Sequence, residues 1–155
     1  MPTFDQDHSS SWKIFDAVST ALETAPELQA VPLKRNPTAA LPLKKGDYLL
    51  VSRWNADSLI KRIGIDEQRQ FRLLVGSIAS TEQSDRDADA MHQVVGKVLR
   101  RLIPALNALT GVKELQIVEQ EISPDLDNLL IEGALVLSTY EVTYRQPAFA
   151  LLQRT

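Results

Sequence analysis

Hydrophobic and polar positions alternate most clearly in residues 132–145, EGALVLSTYEVTYR. Ala134, Val136, Ser138, Tyr140, Val142 and Tyr144 share one face at period two. The opposite face begins apolar with Leu135 and Leu137, then turns polar through Thr139, Glu141, Thr143 and Arg145. With β-branched and aromatic residues and no internal proline, this pattern predicts a long strand. A strand of this length spans roughly 46 Å. Its distal part, 139–145, is therefore expected to project beyond the core or to be covered by a neighbouring molecule.

Elsewhere the period changes. Phe15, Val18 and Leu22, flanked by Ile14 and Ala21, form one face of a helix. Ser10 or Ser11 is the expected cap, and the helix ends near Thr24 with Pro26 just beyond. Residues 29–34 suit a short strand that Pro32 confines to an edge or a bulge. Residues 36–47 carry Pro37, Pro42, Lys44, Lys45 and Gly46 and read as a loop, of a length that is often functional. A strand follows at 47–54. Residues 55–70 stay open between a short helix and a strand-turn hairpin. Residues 71–79, FRLLVGSIA, are apolar on both faces and predict an inner strand buried on both sides.

The longest helix is predicted over 85–103, where Ala88, Met91, Val95, Val98 and Leu102 make a stripe. Ser84 is its expected cap. Asp85, Asp87 and Asp89 near its start and Lys97, Arg100 and Arg101 near its end suit the helix dipole. Pro104 is expected to end or kink it. Residues 112–122 predict a strand whose apolar phase changes between Ile117 and Val118, the mark of a bulge. Asp125 and Asp127 then shape a turn. The whole order predicts one α+β domain, with an antiparallel-rich mixed sheet and two main helices packed on one face. That domain covers 11–147, between a loose N-terminal segment (1–10) and a C-terminal tail (148–155).

Composition narrows the chemistry. A chain of 155 residues buries about 68–70% of its unfolded surface without a staple. The absence of cysteine removes disulfides, thiol catalysis and cysteine–zinc sites together. No apolar run reaches membrane-spanning length, and the first ten residues lack a basic region followed by an apolar one, so neither a span nor a signal peptide is expected. A net charge of −3 counts against a dedicated nucleic-acid binder. Its distribution says more. Residues 31–72 hold nine basic side chains against four acidic ones, whereas 112–145 hold two against seven. On separate faces, these segments would suit self-association through unlike surfaces; chance clustering on a solvated surface is the plainer alternative.

Candidate chemistry is sparse. The histidines are His8 and His92. Asp85, Asp87 and Asp89 have the opening spacing of a calcium loop, but Ala90 and Gly96 stand where that loop needs glycine and glutamate. No metal, cofactor or catalytic group is expected. Lys61, Arg62, Arg69 and Arg72 are positioned to touch phosphates, yet only Phe71 interleaves them. Trp12 and Trp54 are either interface anchors or core residues.

Three pieces carry a resemblance: WKIFDAVSTALETA leading into AVPLKR, FRLLVGSIAS running into SDRDADAMHQVVGKVLRRLIPAL, and the closing strands ending in STYEVTYRQP. Together, from about Trp12 to Pro147, they resemble the tail terminator, or tail-completion, proteins of long-tailed bacteriophages. The resemblance implies a non-enzymatic virion subunit, assembled in the host cytoplasm. It would form a ring, commonly a homohexamer, on the head-proximal end of the tail tube, stopping polymerisation and offering a surface for joining the head. Its partners would be its own copies, the tail tube protein and head–tail connector proteins, with DNA passing through the lumen unread. Within this expectation, Lys44, Lys45, Lys61, Arg62, Glu119, Glu121, Glu141 and Arg145 are the candidate subunit or tube contacts. A different neck or connector subunit, or a small soluble ligand-binding or enzymatic domain, is the alternative.

Overall fold

A computed structural model describes residues 8–37, 43–124 and 133–148, with 121–124 as backbone only. Helix α1 (Ser10–Thr24) and a 3-10 turn (Pro26–Leu28) precede four strands, β1 (Leu33–Arg35), β2 (Tyr48–Trp54), β3 (Ser58–Ile63) and β4 (Asp66–Ala79). Helix α2 (Ser84–Asn107) and strands β5 (Lys113–Pro124) and β6 (Ala134–Pro147) complete the order. The strands form one mixed sheet in the order β1-β2-β4-β6-β5, and β3 also pairs with β4. Only β1–β2 is parallel among the described pairs. The α+β architecture expected from the sequence is thus present.

β4 is the spine. It pairs along its full length with β6, from Asp66↔Pro147 to Ala79↔Ala134. On its other side β2 covers residues 73–79 and β3 covers 66–70. β2 and β3 are two halves of one long strand, broken where Asn55, Ala56 and Asp57 leave the ladder. Residues 55–70 are therefore a hairpin. Its turn is Gly64–Ile65, with Gly64 at φ 63 and no positive φ at Ile65, the glycine-first geometry of a two-residue type II′ turn.

Both helices lie on one face. Ile14, Phe15, Val18 and Leu22 of α1 and Met91, Val95, Val98 and Leu99 of α2 join Leu50, Phe71, Leu73, Val75, Tyr140 and Val142 from the sheet in one buried cluster. These strand residues have the parity of the expected period-two face. The opposite face carries a smaller cluster, Leu43, Leu49 and Ile78, with Val51 and Leu135 packed on it. That second patch is why 71–79 looks apolar on both sides, although burial is incomplete there: Arg72 is exposed and Leu74 half-buried.

Several expected boundaries change. The cap of α1 is Ser9, whose Oγ accepts the Trp12 N–H at 3.2 Å. The first short strand shrinks to Leu33–Arg35, at the sheet edge just after Pro32. The cap position of α2 is Gln83, and Ser84 instead donates to the Thr81 carbonyl at 2.8 Å. Pro104 lies inside α2, which continues to Asn107 and leaves no basic residue in the last turn. The expected charge complement at that end is therefore absent. The β5 irregularities fall between Lys113 and Gln116 and between Glu119 and Glu121, not at Ile117–Val118. The turn expected at Asp125 and Asp127 lies outside the described residues.

The largest correction concerns the long last strand. Its distal part neither projects nor awaits a neighbour, because β4 pairs with one side and β5 with the other. The length is matched inside the chain by the equally long β4.

Gly96 sits mid-helix, and a Cβ there would meet nothing within 4 Å. Gly96→Ala is expected to raise stability by about 0.5–1 kcal/mol through reduced backbone entropy. Chemical denaturation measures it.

Candidate interaction edges and buried polar clusters

Besides the short edge strand β1, which covers part of β2, the described strands leave the outer sides of β3 and β5 unpaired, and these two differ in character. On one side β3 presents Lys61 and Arg62, both exposed, with Leu59 48% and Ile60 43% exposed. Ile65, in the adjoining turn, is 75% exposed. Lys44 and Lys45 are exposed in the turn before β2, whose outer side is covered by β1, so they do not share the β3 edge. Asp47 fastens that turn by accepting the Lys44 N–H at 2.9 Å. On the other side, β5 carries Glu114, Glu119 and Glu121, with Val118 51% exposed. Exposed Lys61 and Arg62 on β3 and exposed Glu114 on β5 thus lie on opposite sides of one sheet, with β4 and β6 between them. The strand position of Glu121 is opposite Thr139; its side chain lies outside the described residues.

The remaining candidates are not at an edge. Glu141 is on β6, one strand in, opposite Arg72 on the helix-free face. Arg145 is engaged within the chain, with its Nε 2.9 Å from Asp66 and its guanidinium 3.5 Å from Glu114. It is poorly placed as a contact to another molecule. Within the basic segment Arg35 is likewise held, by Asp16 and Glu23. Trp12 and Trp54 are half-buried, pack edge-on at 5.2 Å and lie against the core.

Two polar clusters arise that the sequence reading did not assemble. The first ties the arm formed by β3 and the start of β4 to the domain. Asp57, at the break between β2 and β3, accepts from Arg69 Nε at 2.8 Å and from the Tyr144 hydroxyl. Arg69 also binds Glu67 at 2.9 Å, and Gln146 donates to the same Glu67 oxygen at 3.0 Å. Glu67 and Tyr144 are nearly inaccessible, at 4% and 1% exposure. Beside this cluster a depression of 650 Å³ opens, with Lys13, Arg69 and Lys113 on its wall.

The second cluster joins Ser138, His92 and Glu119. Ser138 Oγ is 3.0 Å from His92 Nδ1 and 3.1 Å from Glu119 Oε2, and Glu119 Oε2 is 3.1 Å from His92 Nε2. These residue types occur in nucleophilic hydrolases, but there the three groups form a line. Here they close a triangle in which serine reaches the carboxylate directly, and Ser138 has no exposed surface. The geometry tethers α2 to β5 and β6. A cleft of 190 Å³ borders the cluster between Gly96, Arg100, Ile117 and Tyr140.

Both buried tyrosines resist ionisation. Burial, then the negative charge of Glu119, pushes the Tyr140 phenol up. Burial, then the hydrogen bond to and charge of Asp57, pushes up Tyr144. A raised folded value means that the folded state holds its proton longer than the unfolded chain. The stability due to these phenols is full below the ordinary tyrosine value near 10 and falls as pH rises above it. In an alkaline titration, phenolate absorbance from these two residues is expected only together with unfolding. Ionisation without loss of far-UV signal contradicts this.

Asp87 accepts from Thr81 Oγ1 at 2.6 Å, which holds its carboxyl below the usual range, while Asp85 and Asp89 are exposed. Among the described residues no group of three metal-ligating side chains comes together, and no helix is long and apolar enough to cross a membrane. No protein-family model matches the chain, and a search of curated proteins finds no match.

Proposed function

We propose that this chain is a structural phage subunit that caps the head-proximal end of a tail tube as a ring, ending polymerisation and presenting the head-joining surface. The observation that supports this reading is the placement of exposed Lys61 and Arg62 on β3 and exposed Glu114 on β5, two strands on opposite sides of one sheet. A cyclic ring joins each subunit to the next through two different patches, so unlike charges meet at every joint. The tube protein, head–tail connectors and DNA in transit are the partners that this reading brings with it. The alternative of a small enzyme or ligand-binding domain would place its chemistry in the cleft beside His92 and Tyr140, where the serine is buried and already bonded.

Electrostatic joints are screened beyond a Debye length of about 8 Å at physiological salt. Added to tail tubes growing in vitro, the protein is expected to arrest elongation in low salt and to lose that effect in high salt. Unchanged tube lengths at every salt concentration would remove the reading.

A further inference from the structure

Resting on the ring reading, we infer that the joint between subunits is strand addition, in which β3 of one copy pairs antiparallel with β5 of a second copy and continues the sheet. Three observations carry it. First, the described residues leave the outer backbone edges of both strands unpaired, since β3 pairs only with β4 and β5 only with β6. A free strand edge is a template for another strand.

Second, the two edges differ from edges that are merely guarded. Charges and bulges do blunt them: Lys61 and Arg62 on β3, an irregularity at Ile60, and two register shifts in β5 with Glu114 at φ 52. Yet Leu59, Ile60 and Val118 stand about half exposed on these same strands. Guarding alone has no use for exposed leucine, isoleucine and valine. An edge meant for one partner needs both an apolar contact and a charge filter, here Lys61 and Arg62 on β3 against Glu114 on β5, which is 69% exposed although it also meets Arg145 at 3.5 Å.

Third, direction fits. β3 and β6 both run antiparallel to β4, and β5 runs antiparallel to β6, so β5 and β3 have opposite directions. A rotation axis along the strands preserves direction from copy to copy. The joint it creates is then an antiparallel pair, and the sheets close around the axis as in a barrel.

The test uses two variants of the full chain under conditions in which the native protein assembles, alone or on tube ends. One carries Lys61→Glu with Arg62→Glu, the other Glu114→Lys with Gln120→Lys, both exposed on β5. Each makes its own joint like-charged, so neither assembles alone. Mixed in equal amounts they restore unlike charges at every joint and are expected to form rings of alternating composition with an even subunit number, read by native mass measurement. Hydrogen exchange of the native assembly adds a second readout, in which amides 58–63 gain at least tenfold protection. Assembly by the β5 variant alone, a mixture that stays unassembled, or β3 amides that exchange as fast in the assembly as in the monomer overturns strand addition and leaves a ring built on other contacts. Native protein that assembles neither alone nor on tubes overturns the ring reading itself.

Discussion

A chain carrying Lys61→Glu and Arg62→Glu is expected to melt within a few degrees of the native protein and to lose assembly altogether. The first half follows from where these side chains sit. Both are exposed on β3, and neither makes an ion pair among the described residues. The only internal cost arises at Arg62, which lies opposite Glu67 in the ladder. A glutamate there faces another carboxylate, and a like-charge cross-strand pair costs less than about 1 kcal/mol. The second half follows from what each joint experiences. Two attractive charges become two repulsive ones, and like-charge juxtaposition across an interface costs several kcal/mol, roughly 100-fold or more in affinity. Thermal melting and sedimentation of the same samples separate the two halves. A variant that caps tails as the native protein does would show that these residues are only a solvated surface.

Asp57→Ala is expected to do the reverse, lowering stability by about 2–3 kcal/mol and loosening the β3 arm first. The carboxylate is the shared acceptor for the Tyr144 hydroxyl and Arg69 Nε. Its loss takes the carboxylate acceptor from a phenol that is 1% exposed and leaves it the Ser11 hydroxyl, and a weakened or unsatisfied buried donor costs about 1–3 kcal/mol. Arg69 adds to that, although it retains Glu67 at 2.9 Å and is partly solvated, which keeps the sum below that of a fully orphaned charge. Asp57→Asn keeps an acceptor and is expected to recover about half the loss. Denaturation gives the magnitude, and hydrogen exchange of 58–70 shows where the loosening starts. Equal stability of the alanine variant and the native chain would mean that the cluster is ornamental.

The parts of the fold that could be read from the sequence are those in which one period rules a whole element. The stripes at Phe15, Val18 and Leu22 and at Met91, Val95 and Val98 are buried as expected, and so is the period-two face of Ser138, Tyr140, Val142 and Tyr144. The hairpin at 58–70 stayed open against a short helix because β3 is exposed almost throughout, so no face of it alternates. Its legible signal was Gly64–Ile65 between two six-residue runs. The last strand was assigned correctly, but its coverage was not, because the length of β4 was hidden: residues 66–70 are polar and carry the cluster of Asp66, Glu67 and Arg69. Pro104 shows the limit of a local rule, since α2 continues past it for three residues.

The polar clusters were invisible for a different reason. Asp57 and Arg69 meet Tyr144, and His92 meets Glu119 and Ser138, only across elements separated in the chain, and no local spacing encodes that. One hint was present. Three polar side chains, Ser138, Tyr140 and Tyr144, occupy the face that had to be buried, and buried polar groups need partners. The candidate edges were partly legible as two oppositely charged segments. Their separation to opposite sides of the sheet depends on β4 and β6 lying between them, which charge counting cannot supply.

The most direct measurement is electron microscopy of tail tubes before and after addition of the purified protein. A ring with an open lumen seated on one end of each tube, built from copies in head-to-tail contact, is the result expected of a terminator. Tubes whose ends stay bare, or a protein found only as a two-fold dimer joined through like edges, would contradict it.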